Sequence, residues 1–260
     1  MSRWAKVGLG VGLVAFGLWP LVWRLTGPRV PRFPYALDAP PTDVTTLKGF
    51  SAWNVEVAPG LTLRGLRREP RSNDAAWILF FHGNDASQLK GGAALLSHVG
   101  GDADVGLATV AYRGFDGSPG TPSPDALRAD ALVIFRALGV DPGRVRIYAY
   151  SLGAPLAIHV AAELSRRGTP PRSVTLLAGA AELAMLPAVP WAPLLRGDVY
   201  TVGTELEDVA CPVRLFHGLD DSTLPIAQAH AMASRLGARA RLTELPGITH
   251  ESILTTALPE

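Results

Sequence analysis

Residues 146–154 read RIYAYSLGA: a β-branched and aromatic run from Arg146 to Tyr150 stops at Ser151 and continues in small, helix-compatible residues. A strand that ends on serine and leads into a helix has two readings. Ser151 is the polar cap of the helix, a position serine favours, or it is a nucleophile carried on a sharp strand-to-helix turn. Residues 149–153 spell A-Y-S-L-G, one methyl away from G-x-S-x-G. The local pattern leaves both readings open, and the rest of the chain has to choose between them.

A repeated grammar surrounds this stretch. Residues 75–81 (AAWILFF) are a buried apolar run, followed by a helical stretch over 88–99. Residues 106–112 (GLATVAY) form a second strand and 123–139 a helix, with Pro124 in its first turn and Gly139 at its end. After the strand 144–150 come a helix over 152–168, strands at 173–179 and 212–218, a helix over 225–236 and a last strand at 240–247. Buried strands separated by amphipathic helices predict an α/β fold: a mostly parallel central sheet, right-handed crossovers and helices on both faces. Ahead of it, residues 53–69 alternate and turn at Pro59-Gly60, which predicts an antiparallel hairpin. Residues 181–210, with Pro187, Pro190, Trp191 and Pro193, interrupt the grammar and read as a short cap between strands.

At 260 residues, 48 % hydrophobic and 18 % charged, the chain is long enough for one large domain with a deep core. A formal net charge of +1, with arginines scattered at Arg128, Arg144, Arg166, Arg196 and Arg235, argues against a nucleic-acid partner, because phosphate recognition needs a concentrated basic surface. The single cysteine, Cys211, excludes an internal disulfide and a cysteine-based metal cluster and reads as a small buried residue. No H-E-x-x-H or close ligand pair occurs, so no metal is predicted.

Residues 7–23 (VGLGVGLVAFGLWPLVW) carry no charge, are bracketed by Lys6 and Arg24, and have tryptophans near both ends. A bilayer span takes roughly 17–25 residues, so the run reads as an uncleaved single-pass membrane anchor at the short end of that range. A cleaved signal peptide, which would release the domain, and a buried helix of the domain are the other readings. The small-residue cleavage pattern is missing after Trp23. Arg3 and Lys6 before the run and Arg24, Arg29 and Arg32 after it leave the orientation open. The resulting map is an anchor or signal peptide at 1–26, a Pro-rich linker at 27–45, and an α/β domain at 46–260 with its cap at about 181–210.

In an open parallel sheet, ligand sites lie beyond the carboxyl ends of the strands. There the sequence puts His82-Gly83-Asn84, Arg113-Gly114-Phe115-Asp116, Ser151, His217-Gly218-Leu219-Asp220-Asp221 and, after the last strand, His250. A serine hydroxyl needs an adjacent imidazole to take its proton, and the imidazole needs a buried carboxylate on its other nitrogen. Ser151, Asp221 and His250 supply those types in the chain order Ser…Asp…His. Asp220 is the neighbouring alternative for the acid and reads as a turn or cap residue. A tetrahedral oxyanion needs backbone donors. The Leu152 N–H at the helix start is one candidate and the Asn84 N–H of the His82 loop is the other.

These residues together resemble the α/β-hydrolase superfamily. Within it the chain is similar to a membrane-anchored group carrying HGN, Y-[RS]-G-[FY]-x-x-S-x-G, Y-x-x-S-x-G and H-G-x-x-D. Here these are His82-Gly83-Asn84, YRGFDGSPG (112–120), YAYSLG (148–153) and HGLDD (217–221). The likeness runs from about Trp53 to the C-terminus. It implies hydrolysis of carboxylic esters or thioesters without a cofactor, and the apolar cap segment 183–195, with Trp191, points to a small-molecule or lipid-like acyl substrate, though caps are often apolar for packing alone. Some members remove acyl groups from lipidated proteins, and that substrate is not carried over.

Two other functions stay open: a serine peptidase of the same fold, and a catalytically silent membrane-anchored binding protein. A Rossmann-type cofactor enzyme lacks the G-x-G-x-x-G turn after its first strand. His82 and His217, each before a glycine, read as loop-shaping hydrogen-bonders. His98, His159 and His230 fall in helical stretches and read as ordinary, while Arg113 and Asp116 read as fixing the turn of their own loop.

Overall fold

A computed structural model of the protein describes residues 40–181 and 202–258. The apolar run 7–23, the linker up to residue 39 and the cap residues 182–201 lie outside the described residues, and so do the anchor and most of the cap expected there. Among the described residues no helix is long and apolar enough to cross a membrane.

The chain enters through a short turn, Val44–Thr46, and strand β1 (Ser51–Ala52). Strands β2 (Val55–Ala58) and β3 (Leu61–Leu63) pair antiparallel around Pro59-Gly60, the hairpin expected from the alternation of residues 53–69. Strand β4 (Gly65–Arg68) leads into β5 (Ala76–Phe81), helix α1 (Gln88–Gly100), β6 (Val105–Val110), helix α2 (Pro124–Ala137) and β7 (Val145–Tyr150). Helix α3 (Ala154–Arg166), β8 (Ser173–Leu177), the short helix α4 (Glu205–Asp208), β9 (Val213–Gly218), helix α5 (Ala227–Leu236) and β10 (Ala240–Leu245) follow.

Eight of these strands form one sheet in the order β1-β4-β6-β5-β7-β8-β9-β10. The six from β6 to β10 run parallel, and β4 and β1 close one edge antiparallel. The central strands bury both faces, which explains why β5 and β6 read as continuous apolar runs without alternation. Helix α1 buries Leu89, Gly92, Ala93 and Leu96, a stripe at helical spacing, against β4, β5 and β6. Helix α3 is buried nearly all round, lying on β5, β7 and β8 and against α2 and α4. Helix α5 covers β9 and β10.

From β5 the chain turns by way of α1 to β6 on one side; from β7 it turns by way of α3 to β8 on the other. The carboxyl ends of β5 and β7 are therefore the topological switch point, where the loops part and leave a crevice. Two glycines let these ends approach. A Cβ on Gly153 would stand 2.3 Å from the Phe81 carbonyl oxygen, and one on Gly83 2.7 Å from Tyr150 Cδ1.

Buried polar groups hold the loops at this edge. The Thr109 hydroxyl donates to the Phe80 carbonyl at 3.0 Å and so accepts from His82 Nε2, while the Tyr112 hydroxyl donates to the His82 carbonyl at 3.0 Å. A Cβ on Gly92 would stand 2.4 Å from His82 Cε1, so the glycine makes room for that ring on helix α1. Gln88 donates to the Gly83 carbonyl and accepts from the Tyr112 N–H, joining the two loops. Burial alone takes the His82 imidazole down to about 3.

Asp116 reaches beyond the turn assigned to it from the sequence. It sits at a positive φ of 48° with its side chain buried, and accepts from the Thr42 N–H at 2.6 Å, the Thr42 hydroxyl at 2.9 Å and the Leu89 N–H at 2.7 Å. The last of these is an orphan donor in the first turn of α1, whose own N-cap Ser87 makes no side-chain cap. One carboxylate thus caps a distant helix and fastens the entering chain. The segment at Thr42 is bound to the domain, so the folded part begins before residue 46, inside the stretch expected as linker. Likewise α4, within the expected cap, is tied to α3 by His159–Glu205 and Arg166–Asp208 pairs.

Adding a methyl at Gly153 forces backbone apart, so Gly153→Ala is expected to lower stability by about 1–3 kcal/mol, read from urea unfolding. His82, neutral when folded and free to charge near pH 6.5 when unfolded, contributes stability that is complete above that pH. It is lost as pH falls toward about 3, at up to about 1.4 kcal/mol per pH unit. The unfolding midpoint of His82→Gln is expected to fall less steeply on acidification than that of the wild type; equal slopes would assign the acid sensitivity to other groups.

Candidate active site

At the end of β7 the backbone turns abruptly. Ser151 has φ +49°, a left-handed conformation that costs a non-glycine residue about 1–3 kcal/mol, and a single 3₁₀ turn, Ser151–Gly153, joins the strand to α3. The turn lifts the half-buried Ser151 side chain out of the strand. It makes no capping hydrogen bond to α3, whose N-cap residue is Gly153, so the helix-cap reading of Ser151 is not what the structure contains.

His250 lies in the loop after β10, 6 % exposed. Its Nε2 is 3.0 Å from Ser151 Oγ and its Nδ1 is 2.7 Å from Asp221 Oδ2. A carboxylate accepts, so Nδ1 carries the proton and Nε2 presents its lone pair to the serine hydroxyl. The Asp221 side chain is fully buried, and its Oδ1 accepts from the N–H groups of Thr223 at 2.9 Å and Leu224 at 2.7 Å. Burial alone would push the Asp221 carboxyl up. The hydrogen bonds from His250, Leu224 and Thr223 outweigh it and hold the carboxyl below its ordinary value. Asp220 is exposed and gives its N–H to the Ile248 carbonyl. The residue facing His250 is Asp221.

The loops that carry the acid and the imidazole are stitched together. Leu219 donates to the Leu245 carbonyl and Asp220 to that of Ile248. Gly218 packs so tightly that a Cβ there would stand 2.0 Å from the Ile248 carbonyl oxygen. Thr249 and Ser252 cap each other reciprocally beside His250.

Tyr150, which sequence reasoning passed over, holds the imidazole from the other side. Its ring lies 5.0 Å from that of His250 at an interplanar angle of 40°, and its hydroxyl donates to the His250 carbonyl at 3.2 Å. Burial first, then the carboxylates of Glu251, Asp221 and Asp85, push its phenol well up, so it remains a neutral donor. The one signal for it in the sequence is its place beside Ser151. Gln88 is the other residue missed; nothing marked it except polarity at the start of an apolar helix.

Of the two expected oxyanion donors, Leu152 follows Ser151 in the 3₁₀ turn, its side chain buried. Asn84 belongs to the loop that abuts the serine through Gly83, where an added Cβ would stand 3.3 Å from Ser151 Cβ. Backbone from two different strand ends thus borders the hydroxyl. His82 and His217 are buried and hydrogen-bond elsewhere, His82 to the Thr109 hydroxyl and His217 to the Leu224 carbonyl.

An uncharacterised protein of Mycobacterium tuberculosis (strain CDC 1551 / Oshkosh) is 29 % identical over 252 residues, covering 92 % of this chain and 85 % of that protein. Lysophosphatidylserine lipase ABHD12 of Danio rerio is 26 % identical over 191 residues, covering 62 % of this chain and 50 % of that protein, so the match spans half of that relative's length. Among solved structures, an alpha-beta hydrolase from Vibrio vulnificus is similar with a TM-score of 0.67 at 21 % identity, covering 80 % of this chain and 77 % of that one. Carboxyl esterase 2 from the mycorrhizal fungus Tuber melanosporum gives a TM-score of 0.62 at 19 % identity, covering 80 % and 82 %. No protein-family model matches the chain. The likeness to these solved structures is one of architecture, and by it the chain has the α/β-hydrolase fold.

Proposed function

We propose that the protein is a serine hydrolase that cleaves carboxylic ester or thioester bonds through an acyl-enzyme intermediate. The observation that carries this reading is the unbroken chain from Ser151 Oγ through His250 to Asp221, with separations of 3.0 and 2.7 Å. Similarity to a lysophosphatidylserine lipase and to a carboxyl esterase fold supports it.

His250 Nε2 takes the Ser151 proton as Oγ bonds to the acyl carbon, and the carbonyl π pair moves onto oxygen. The backbone N–H groups of Leu152 and Asn84 are the proposed donors to that oxyanion. When the oxyanion collapses, the bond to the alcohol or thiol breaks and the leaving atom receives the proton held on Nε2. Water then repeats the sequence: His250 takes its proton, hydroxide adds to the acyl carbon, and Ser151 leaves with the proton restored. Asp221 keeps Nδ1 protonated and faces the transient imidazolium. Each step needs only the protein's own groups and water.

A fluorophosphonate probe is expected to label the wild type and not Ser151→Ala. The same variant is expected to lose hydrolysis of p-nitrophenyl butyrate by roughly three orders of magnitude or more. A folded wild type that stays unlabelled, or a Ser151→Ala that labels equally, would sink the proposal in favour of the silent binding protein.

We also propose that residues 7–23 tether the domain to a membrane as a single-pass anchor, on the strength of their uncharged sequence and flanking tryptophans. Expressed full length, the protein is expected in the membrane fraction, released by detergent and not by carbonate. Leu13→Arg with Phe16→Arg, at about 2.5–3.5 kcal/mol each near a helix centre, is expected to shift it to the soluble fraction. Carbonate release of the wild type would exclude the anchor.

A further inference from the structure

His217 is the penultimate residue of β9 and has no part in the proton path above. It is buried, and its Nε2 lies 2.8 Å from the Leu224 carbonyl oxygen and 3.4 Å from Asp221 Oδ2. That carboxylate oxygen is the one that accepts from His250 Nδ1. Two imidazoles therefore face one atom. A carbonyl oxygen only accepts, so the His217 proton is on Nε2. Nδ1 is buried with no hydrogen-bond partner. It is a bare lone pair, since a buried cationic N–H without an acceptor is the costlier orphan.

The bond to Leu224 closes a ring. Asp221 Oδ1 receives the Leu224 N–H, and His217 holds the carbonyl of the same residue. Leu224 is thereby held at both its backbone groups, which ties the turn that sets the Asp221 side chain to β9. The Nε2–H dipole also presents its positive end to Oδ2, drawing down the negative potential that His250 meets there.

We propose that His217 is a positioning residue: its Nε2–H, anchored on Leu224, fixes the turn that aims Asp221 at His250 and moderates the pull of Oδ2 on that imidazole. The inference rests on the serine-hydrolase reading. Among the described residues, Tyr150 at the end of β7 packs against His250, and Glu251 in its own loop and Asp85 in the loop after β5 act on Tyr150. All are left in place by substitutions at His217.

The test compares full-length wild type with His217→Leu, His217→Asn and His217→Gln, following p-nitrophenyl butyrate hydrolysis from about pH 5 to 9. Folding is checked by thermal unfolding and Ser151 by fluorophosphonate labelling. A glutamine amide reaches the Nε2 position, so His217→Gln is expected to keep kcat within about twofold and the acid limb of kcat/KM in place. His217→Leu, with no donor, is expected to lose kcat about tenfold at unchanged KM, its acid limb moved up by about half a pH unit. Asparagine, whose amide sits where Nδ1 is, is expected to behave like leucine, and the Asn–Gln pair carries the comparison if the leucine variant does not fold. A folded His217→Leu with the wild-type kcat and acid limb overturns the inference, as do Asn and Gln variants that match each other. A wild type that neither hydrolyses ester nor labels removes the serine-hydrolase reading, and this inference with it. An active wild type with an insensitive His217 removes the inference alone.

Discussion

The approach of the end of β5 to the turn after β7 is the contact on which the site depends. At Gly153 the helix start lies against the Phe81 and His82 carbonyls, too close for any side chain. At Gly83 the loop after β5 lies against Tyr150 and Ser151 with the same economy of space. Close packing here presses the Ser151 turn into a left-handed conformation, sets the serine hydroxyl beyond the sheet edge and brings the Asn84 loop beside it.

Buried carboxylates divide the remaining work. The Asp116 and Asp221 side chains are both inaccessible, and both accept from several hydrogen-bond donors, with Arg64 also standing 3.7 Å from Asp116 Oδ1. Asp116 gives its oxygens to two backbone N–H groups and a hydroxyl, and so fastens the entering chain and caps α1. Asp221 commits one oxygen in the same way, to Thr223 and Leu224, and leaves the other for His250. That division lets one oxygen be rigid while the other faces an imidazole whose charge changes during the proposed reaction. An acid held by His250 alone would be free to rotate about its side-chain torsions and lose the alignment.

Most of the architecture was legible in the sequence because parallel strands buried on both faces are hydrophobic throughout, and the helices between them keep a clean apolar stripe. The hairpin was legible from Pro59-Gly60. Sequence order also pointed to Ser151, Asp221 and His250, since each follows a strand and the carboxyl ends of parallel strands share one edge. Contacts across the edge carried no such signal. Nothing in the spacing of Asp116, Thr42 and Leu89 says that one carboxylate gathers donors from two distant segments. Tyr150 was hidden differently, reading as the last residue of an aromatic strand while its ring and hydroxyl serve a loop 100 residues on. The H-G-x-x-D spacing favours Asp221 over Asp220, but the Thr223 and Leu224 amides that hold the Asp221 carboxylate are visible only in the folded turn.

Ala149 shows how the two small positions around Ser151 differ. It sits inside β7, in register with Phe81 on one side and Leu176 on the other, and is fully buried. Its methyl points out of the pleat, as every Cβ in a strand does, and there the core accepts it. Gly153 has passed beyond the strand, where the backbone doubles back and a Cβ would meet carbonyl oxygens at the end of β5. One position asks for a side chain small enough to pack; the other asks for none at all. The pattern G-x-S-x-G therefore holds two unequal constraints in this protein. The departure at Ala149 falls on the weaker one, and the geometry at Ser151 is set by the stronger.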